Sequence, residues 1–371
     1  MVRVSTKAKR QTDGNPGFLT LSDLEQSARR RVRPSTWSFL EGIAGEGRTF
    51  PANHQAFLQY TLQPRAMADI AEVDTSTTLL GTKVSTPFFI CPMAGQGLVD
   101  SKAEKPVARA AARANLLGVY PFFSKCSMEQ IAETIDKVSP TCPKWLQLYV
   151  LPDFEITRDI VRRAELAGYS AIVLTVNDPV HGVRDGQILS HFGIPRNLHA
   201  GNLERYLNRP SKMIDQSRGF PVTWNIFNRI QNLTKLPIVL KGIMVEEEAE
   251  QAVEHGARGI IVSNMGGRQL DGAPATLDAL PNVLKGARDR IEVFLDGGVR
   301  RGSDIVTALA LGAKAVGIGR PVLWGLAAGG EAGVAKAIRL LQEDLRVTMR
   351  LLGIGLVKEI DESTVTKVVR Q

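Results

Sequence analysis

No run of about 18 apolar residues occurs in this 371-residue sequence, so no membrane-spanning helix is expected. Cysteine is scarce. Cys91, Cys126 and Cys142 show no CxxC spacing and make no even-numbered disulfide framework, which favours a reduced, intracellular setting. The basic start, MVRVSTKAKRQTDGNPG, has no apolar core behind it and does not read as a secretory signal. The end, VTKVVRQ, carries no SKL, KDEL or prenylation address, leaving a cytoplasmic location as the expectation. At 44% hydrophobic and 23% charged, the composition excludes disorder, collagen and coiled coil as the main state.

Charge is unevenly placed. The first 33 residues hold +5 of the net +8, through Arg3, Lys7, Lys9, Arg10, Arg29, Arg30, Arg31 and Arg33 against Asp13, Asp23 and Glu25. A nucleic-acid or membrane-binding arm would use such a run. Apart from the single Phe18, no aromatic residues are interleaved for base stacking, so a tail plus the solvated face of a helix is the favoured reading, with neither nucleic acid nor membrane as partner.

From residue 87 onward, short continuous apolar runs alternate with amphipathic segments. The runs at 87–91, 118–122, 145–149, 171–175, 237–241, 259–263, 291–296 and 315–319 are rich in β-branched residues, as strands buried on both faces are. Helical patterns at 102–114, 128–137, 154–167, 245–255 and 302–311 lie between them, and glycine precedes several strands (Gly118, Gly168, Gly256, Gly312). Eight units over about 264 residues predict an α/β fold, a (β/α)8 TIM barrel. A doubly wound sheet is the alternative, but no GxGxxG follows the first strand. The expected organisation is an N-terminal helical extension and connector over 1–86, with helices at 23–32 and 36–43, then a barrel over 87–371 ending in a helix. A long insertion after strand 4, about 180–225, is expected to form a lid over the barrel mouth.

Catalytic groups of such barrels sit at the C-terminal ends of strands. DGGVRRGSD after strand 7 and GIGRP after strand 8 combine glycine with Arg300 and Arg320 in the two loops that often bind phosphate. Two ordinary turns with surface arginines are the bland alternative. Lys241 ends an apolar strand, so it needs a partner or a task, such as a Schiff base or a fixed cation beside an anionic cofactor. Otherwise it snorkels from the rim. Arg268 and Arg184 are candidate carboxylate clamps, although a lone arginine is more often in a surface ion pair.

The motifs PFFICPMAGQG, WLQLYV, AIVLTVNDPVHGVRDGQI, LPIVLKGI, SNMGGRQLDGAPATLDALP and FLDGGVRRGSDIVTALALGAKAVGIGRP together resemble the FMN-dependent 2-hydroxy acid oxidases and dehydrogenases, of the glycolate oxidase, lactate oxidase and mandelate dehydrogenase type. The resemblance runs from about residue 20 to 350. It implies FMN as cofactor, a small carboxylate substrate and a homo-oligomer, a tetramer in many members. Pro92, Met93, Ala94, Gln147 and Thr175 match positions around the isoalloxazine ring. Lys241 matches the lysine beside its N1/O2 edge. Ser263, Gly266 and Gly267 match residues along the ring and ribityl chain, and Asp296, Gly298, Arg300, Gly319 and Arg320 match the ribityl and phosphate site. Arg184, Arg268 and Tyr149 match the substrate-carboxylate clamp.

The departures concern proton transfer. The family motif reads SNHGGRQ, and its histidine is the base. Here that place is Met265, whose thioether has no useful basicity. The aspartate that would stabilise the imidazolium aligns with Asn177, followed by Asp178. A substrate-side tyrosine aligns with Phe39, and the serine after strand 2 with Pro121. His181 aligns with a usually apolar pocket position and is a candidate relocated base; a loop histidine placed there by accident is the alternative. His191 and His199 lie in the expected lid, whereas His54 and His255 read as structural. The implied function is FMN-dependent oxidation of a small 2-hydroxy or 2-oxo carboxylic acid by an altered route. The alternatives are a catalytically impaired flavin-binding protein and a sugar-phosphate barrel without flavin.

Overall fold

The eight apolar runs close into one parallel barrel. The computed structural model describes residues 17–193, 198, 201–206 and 220–368. Its wall consists of β4 (Phe88–Ile90), β5 (Gly118–Tyr120), β6 (Lys144–Leu148), β7 (Ala171–Thr175), β8 (Ile238–Ile243), β9 (Gly259–Val262), β10 (Glu292–Asp296) and β11 (Ala315–Ile318). Strands pair with their sequence neighbours, and β11 pairs with β4 to close the ring. Nearly every wall residue is buried, because helices cover the outside and side chains fill the inside. Phe89, Trp145, Val173, Val239, Ile261, Phe294 and Ala315 pack together as the inner cluster.

The expected strands and helices are present, with ends shifted by up to three residues. The strand expected at 237–241 runs to Ile243, because a bulge between Lys241 and Ile243, with Gly242 at φ +121°, extends the pairing with β9. The expected helices at 23–32 and 36–43 are α1 (Leu21–Arg31) and α2 (Pro34–Leu40). Thr20 caps α1 through the Asp23 amide, and Asp23 bonds back to the Thr20 amide.

The stretch expected to be a plain connector holds structure that periodicity did not reveal. It contains α3 (Thr49–Gln55), β1 (Tyr60–Leu62) and the hairpin β2–β3 (Thr77–Leu79, Thr82–Val84). These pieces are too short to show a period. The hairpin places Leu79 and Val84 in the inner cluster, and the Leu80 amide donates to Glu292 at the start of β10, so it plugs the barrel's N-terminal end. β1 pairs antiparallel with β12 (Val365–Lys367). α1 packs Leu24 and Ala28 on Trp324, Ala328 and Ala337 of the final helical segment, Arg320–Leu351. That segment is two helices joined by a kink at Gly329 and Gly330.

Of the expected lid, the described residues contain a short helix, Asp185–Leu189, and a single turn, Glu204–Tyr206. His199 lies outside the described residues, as do the cations Arg3, Lys7, Lys9 and Arg10.

Candidate active site

The C-terminal ends of the strands surround a cavity of about 270 Å³. Of the residues singled out in the sequence, Phe39, Pro92, Met93, Ala94, Gln147, Tyr149, Thr175, His181, Arg184, Lys241, Met265, Gly266, Arg268, Asp296, Gly298, Arg300, Gly319 and Arg320 line it, with Pro121 at the second strand. Asn177 and Ser263 stand behind this lining. Cys91, Leu40, Phe123, Asp178 and Gln187 also line it. Cys91, Asp178 and Gln187 lie inside recognised motifs but were given no role there, whereas Leu40 and Phe123 lie outside every motif.

The cavity floor is a buried ionic cluster. Lys241 Nζ donates to Ser263 Oγ at 2.8 Å and lies 3.0 Å from Asp296 Oδ2, while Ser263 Oγ donates to Asp296 Oδ1 at 2.6 Å. Lys241 of β8, Asp296 of β10 and Ser263 directly after β9 supply the cluster, so the barrel register fixes the geometry. Burial, then the Asp296 charge, raises the Cys91 thiol well above its usual range and keeps it protonated. Gln147 Nε2 donates to Thr175 Oγ1 at 3.0 Å and its carbonyl accepts the Phe122 amide, which locks the amide's orientation on the wall.

At the β10–β11 side, two largely covered arginines, Arg300 and Arg320, face the cavity. Burial, then the Arg320 charge, lowers Arg300 to about 10, and burial also lowers Arg320. Arg320 Nε lies 3.1 Å from Glu41 Oε2, its Nη1 donates to the Gly266 carbonyl, and its ring of charge stands over Phe50 at 4.6 Å. Its Nη2 is buried with no hydrogen-bond partner. A buried donor on a desolvated cation is a costly arrangement that an anion would relieve. Gly298, at φ +85°, keeps the backbone bare here; a Cβ would meet the Asn53 carbonyl oxygen at 2.3 Å. An FMN phosphate fits this chemistry: two arginines, an orphaned donor and glycine turns.

Elsewhere in the lining, Arg268 is held by backbone carbonyls and stands over the Phe39 ring at 5.7 Å. It donates to the carbonyls of Phe39 at 2.9 Å, Leu40 at 2.9 Å and Gly42 at 2.7 Å. Among the described residues it forms no ion pair. Burial, then the charges of Arg184 and Arg320, push its pKa well below the usual value. Arg184 Nε donates to the Arg268 carbonyl at 3.0 Å, so Arg184 is tied to the backbone of the residue whose own guanidinium bonds the 39–42 segment. Phe39 stacks on Phe192 with ring centroids 4.7 Å apart and brings no hydroxyl to the rim.

Met265 occupies left-handed backbone at φ +54° and donates its amide to Ser263 Oγ at 3.1 Å. Asn177 Nδ2 donates to the Ser263 carbonyl at 2.9 Å, and its Oδ1 is buried without a partner. His181 Nδ1 lies 3.2 Å from Asp178 Oδ1. His54 sits beside Phe50, and burial, then the charges of Arg300 and Arg320, lower it to about 4. His255 stacks on Trp224 and pairs with Asn228 at 2.9 Å. His191 holds left-handed backbone in the turn after the Asp185–Leu189 helix, at φ +48°.

The chain is similar to known proteins in both sequence and fold. The family model described as FMN-dependent dehydrogenase matches residues 28–367. An L-lactate oxidase of Nostoc sp. is 42% identical over 355 residues, covering 93% of this chain and 97% of its own. The mouse 2-hydroxyacid oxidase 2 is 40% identical over 349 residues, covering 92% and 97%. A crystal structure of mandelate oxidase with (S)-4-hydroxymandelic acid superposes with a TM-score of 0.88 at 36% identity, covering 95% of this chain and all of that one.

Proposed function

The chain belongs to the FMN-dependent dehydrogenase family, and from that premise we propose that it oxidises a small 2-hydroxy carboxylate at a site whose proton acceptor has moved. FMN supplies two-electron acceptance when bound. Arg300, Arg320 and the Gly298 turn would hold its phosphate, and Lys241 would supply a positive charge to the ring.

The observation that carries the reading is Arg268: a partly buried guanidinium, anchored by three carbonyls and facing the cavity, with no ion pair among the described residues. Such a group is a ready partner for a ligand carboxylate, and Arg184 beside it completes a two-cation grip. The carboxylate would thereby be fixed with its α-carbon over the cavity floor, which is the positioning share of catalysis. Met265 takes no proton, and Phe39 donates none. The apolar lining from Met93, Pro121 and Phe123 suits an aliphatic or aromatic side chain on the substrate.

The test is anaerobic bleaching of the FMN-loaded protein by glycolate, lactate, mandelate and longer 2-hydroxy acids. Bleaching by at least one member supports oxidation. The competing reading, a flavin-binding protein without turnover, rests on Met265. Tight FMN binding with no bleaching by any member would favour it.

A further inference from the structure

We propose that Asp178 and His181 form a proton-accepting dyad at the cavity rim, with His181 Nε2 as the base and Gln269 and Tyr149 as positioning residues. The inference rests on the 2-hydroxy carboxylate reading.

Both members of the pair line the cavity. The Asp178 side chain is 7% exposed, whereas that of His181 is 41% exposed. A carboxylate on Nδ1 fixes the proton there and leaves the Nε2 lone pair free. Asp178 also accepts Gln269 Nε2 at 2.8 Å and a hydrogen bond from the Tyr149 hydroxyl. Burial alone would raise the Asp178 pKa, but these donors and His181 outweigh it and hold the carboxyl below its usual value. The dyad thus has an ionised orienting member and a half-open imidazole.

The loop carrying the pair is fastened to the loop that carries Met265 and Arg268. Gln269 Nε2 also donates to the carbonyls of Asn177 and Val180, and its Oε1 accepts the Gly182 amide at 3.2 Å and Arg184 Nη2 at 3.3 Å. A Cβ at Gly182 would meet the Gln269 carbonyl oxygen at 2.3 Å. The imidazole is therefore presented on the same framework as the two arginines. Asn177 has no such freedom. Its amide is spent on Ser263, and a Cβ at Gly242 would meet its Cγ at 2.4 Å. The carboxylate serving a histidine stands one residue later, at Asp178.

The other candidates are engaged. Met265 has no basic atom, and Lys241 is bonded to Ser263 and paired with Asp296. His181 is the one histidine among the described residues lining the cavity. In the reaction the substrate's O–H bond breaks and its proton passes to Nε2. The α-carbon hydrogen leaves with two electrons for FMN, and the C–O bond becomes C=O. One proton and one hydride leave the substrate, and a 2-oxo acid remains.

The experiment compares wild type, His181→Ala, His181→Gln and Asp178→Asn, each loaded with FMN. Flavin reduction is followed anaerobically across the 2-hydroxy acid panel. Loss of the base predicts a 10²–10⁴-fold slower reduction in both His181 variants, with FMN affinity unchanged. Free imidazole should restore part of the rate in His181→Ala, because the site is open to solvent. Asp178→Asn should slow reduction and shift its pH profile, whose neighbouring groups are Arg184, Arg268, Tyr149 and Lys241. Nitrogen NMR of His181 gives a readout without turnover: the Nδ1–H form should dominate in wild type and fall in Asp178→Asn. Reduction of His181→Ala within about threefold of wild type, well inside the range expected for a lost base, overturns the dyad alone. A wild type that no member reduces, with FMN bound, overturns the 2-hydroxy acid reading and the base role with it.

Discussion

Lys241 Nζ lies 3.0 Å from Asp296 Oδ2, and both side chains are only 7% exposed. The ammonium beneath the cavity is thus held by a carboxylate from a strand two places along the ring, with Ser263 bridging them. Removing one partner of a buried pair leaves the other charge uncompensated. Asp296→Asn should lower folding stability by about 3–5 kcal/mol, read as a lower urea midpoint. An unchanged midpoint would mean that water reaches Lys241.

Arg268 offers its charge through a geometry that lysine cannot copy, since three carbonyls consume part of the guanidinium fork. Arg268→Lys should weaken binding of the substrate carboxylate by roughly 10–100-fold, the equivalent of about 1.5–3 kcal/mol for a hydrogen bond to a charged group. Substrate-concentration dependence of flavin reduction measures it. Equal affinity in the variant would place the carboxylate elsewhere.

Position 265 has left-handed backbone, which histidine tolerates better than most side chains. Met265→His combined with Asn177→Asp should therefore fold and should speed oxidation of simple 2-hydroxy acids. Met265→His alone should gain less, because its imidazolium would lack a carboxylate. The paired change also breaks the Asn177–Ser263 bond, so thermal unfolding should show a modest loss. No rate gain in the double variant would mean that other cavity groups limit the chemistry.

Glu129 clasps Arg163 at 2.7 and 3.1 Å, and Arg163 holds the Asn202 carbonyl at 2.8 Å, fastening part of the insertion to the barrel. Burial raises the Glu129 pKa, but the Arg163 hydrogen bonds, with help from the backbone and Ser127, lower it to about 2. A carboxyl depressed on folding stabilises above its ordinary pKa, and the effect fades as pH falls through the folded value. Wild type should therefore exceed Glu129→Gln in stability at neutral pH. The gap should close between about pH 4.5 and about pH 2. Urea midpoints across that window measure the closing, and a constant gap would assign the clasp's effect to packing.

Local pattern settled the barrel. Continuous β-branched runs cannot be left half-solvated, and eight of them with intervening helices close one way. Glycine–arginine turns after the last two strands were likewise legible, and the structure sets their Arg300 and Arg320 against the cavity beside Met265, a side chain with no basic atom. What the linear order did not contain was contact across distance. Nothing near Arg268 in the chain shows that residues 39, 40 and 42 hold it, because that contact forms only when α2 folds against the barrel mouth. The hairpin plugging the barrel floor, at 77–84, was too short to display a period. The partnership of Asp178 with His181 needed the loop's path, set by Gln269 from another strand's end. Periodicity reports which residues are buried; the direction in which a loop side chain points is decided by the surfaces that close around it.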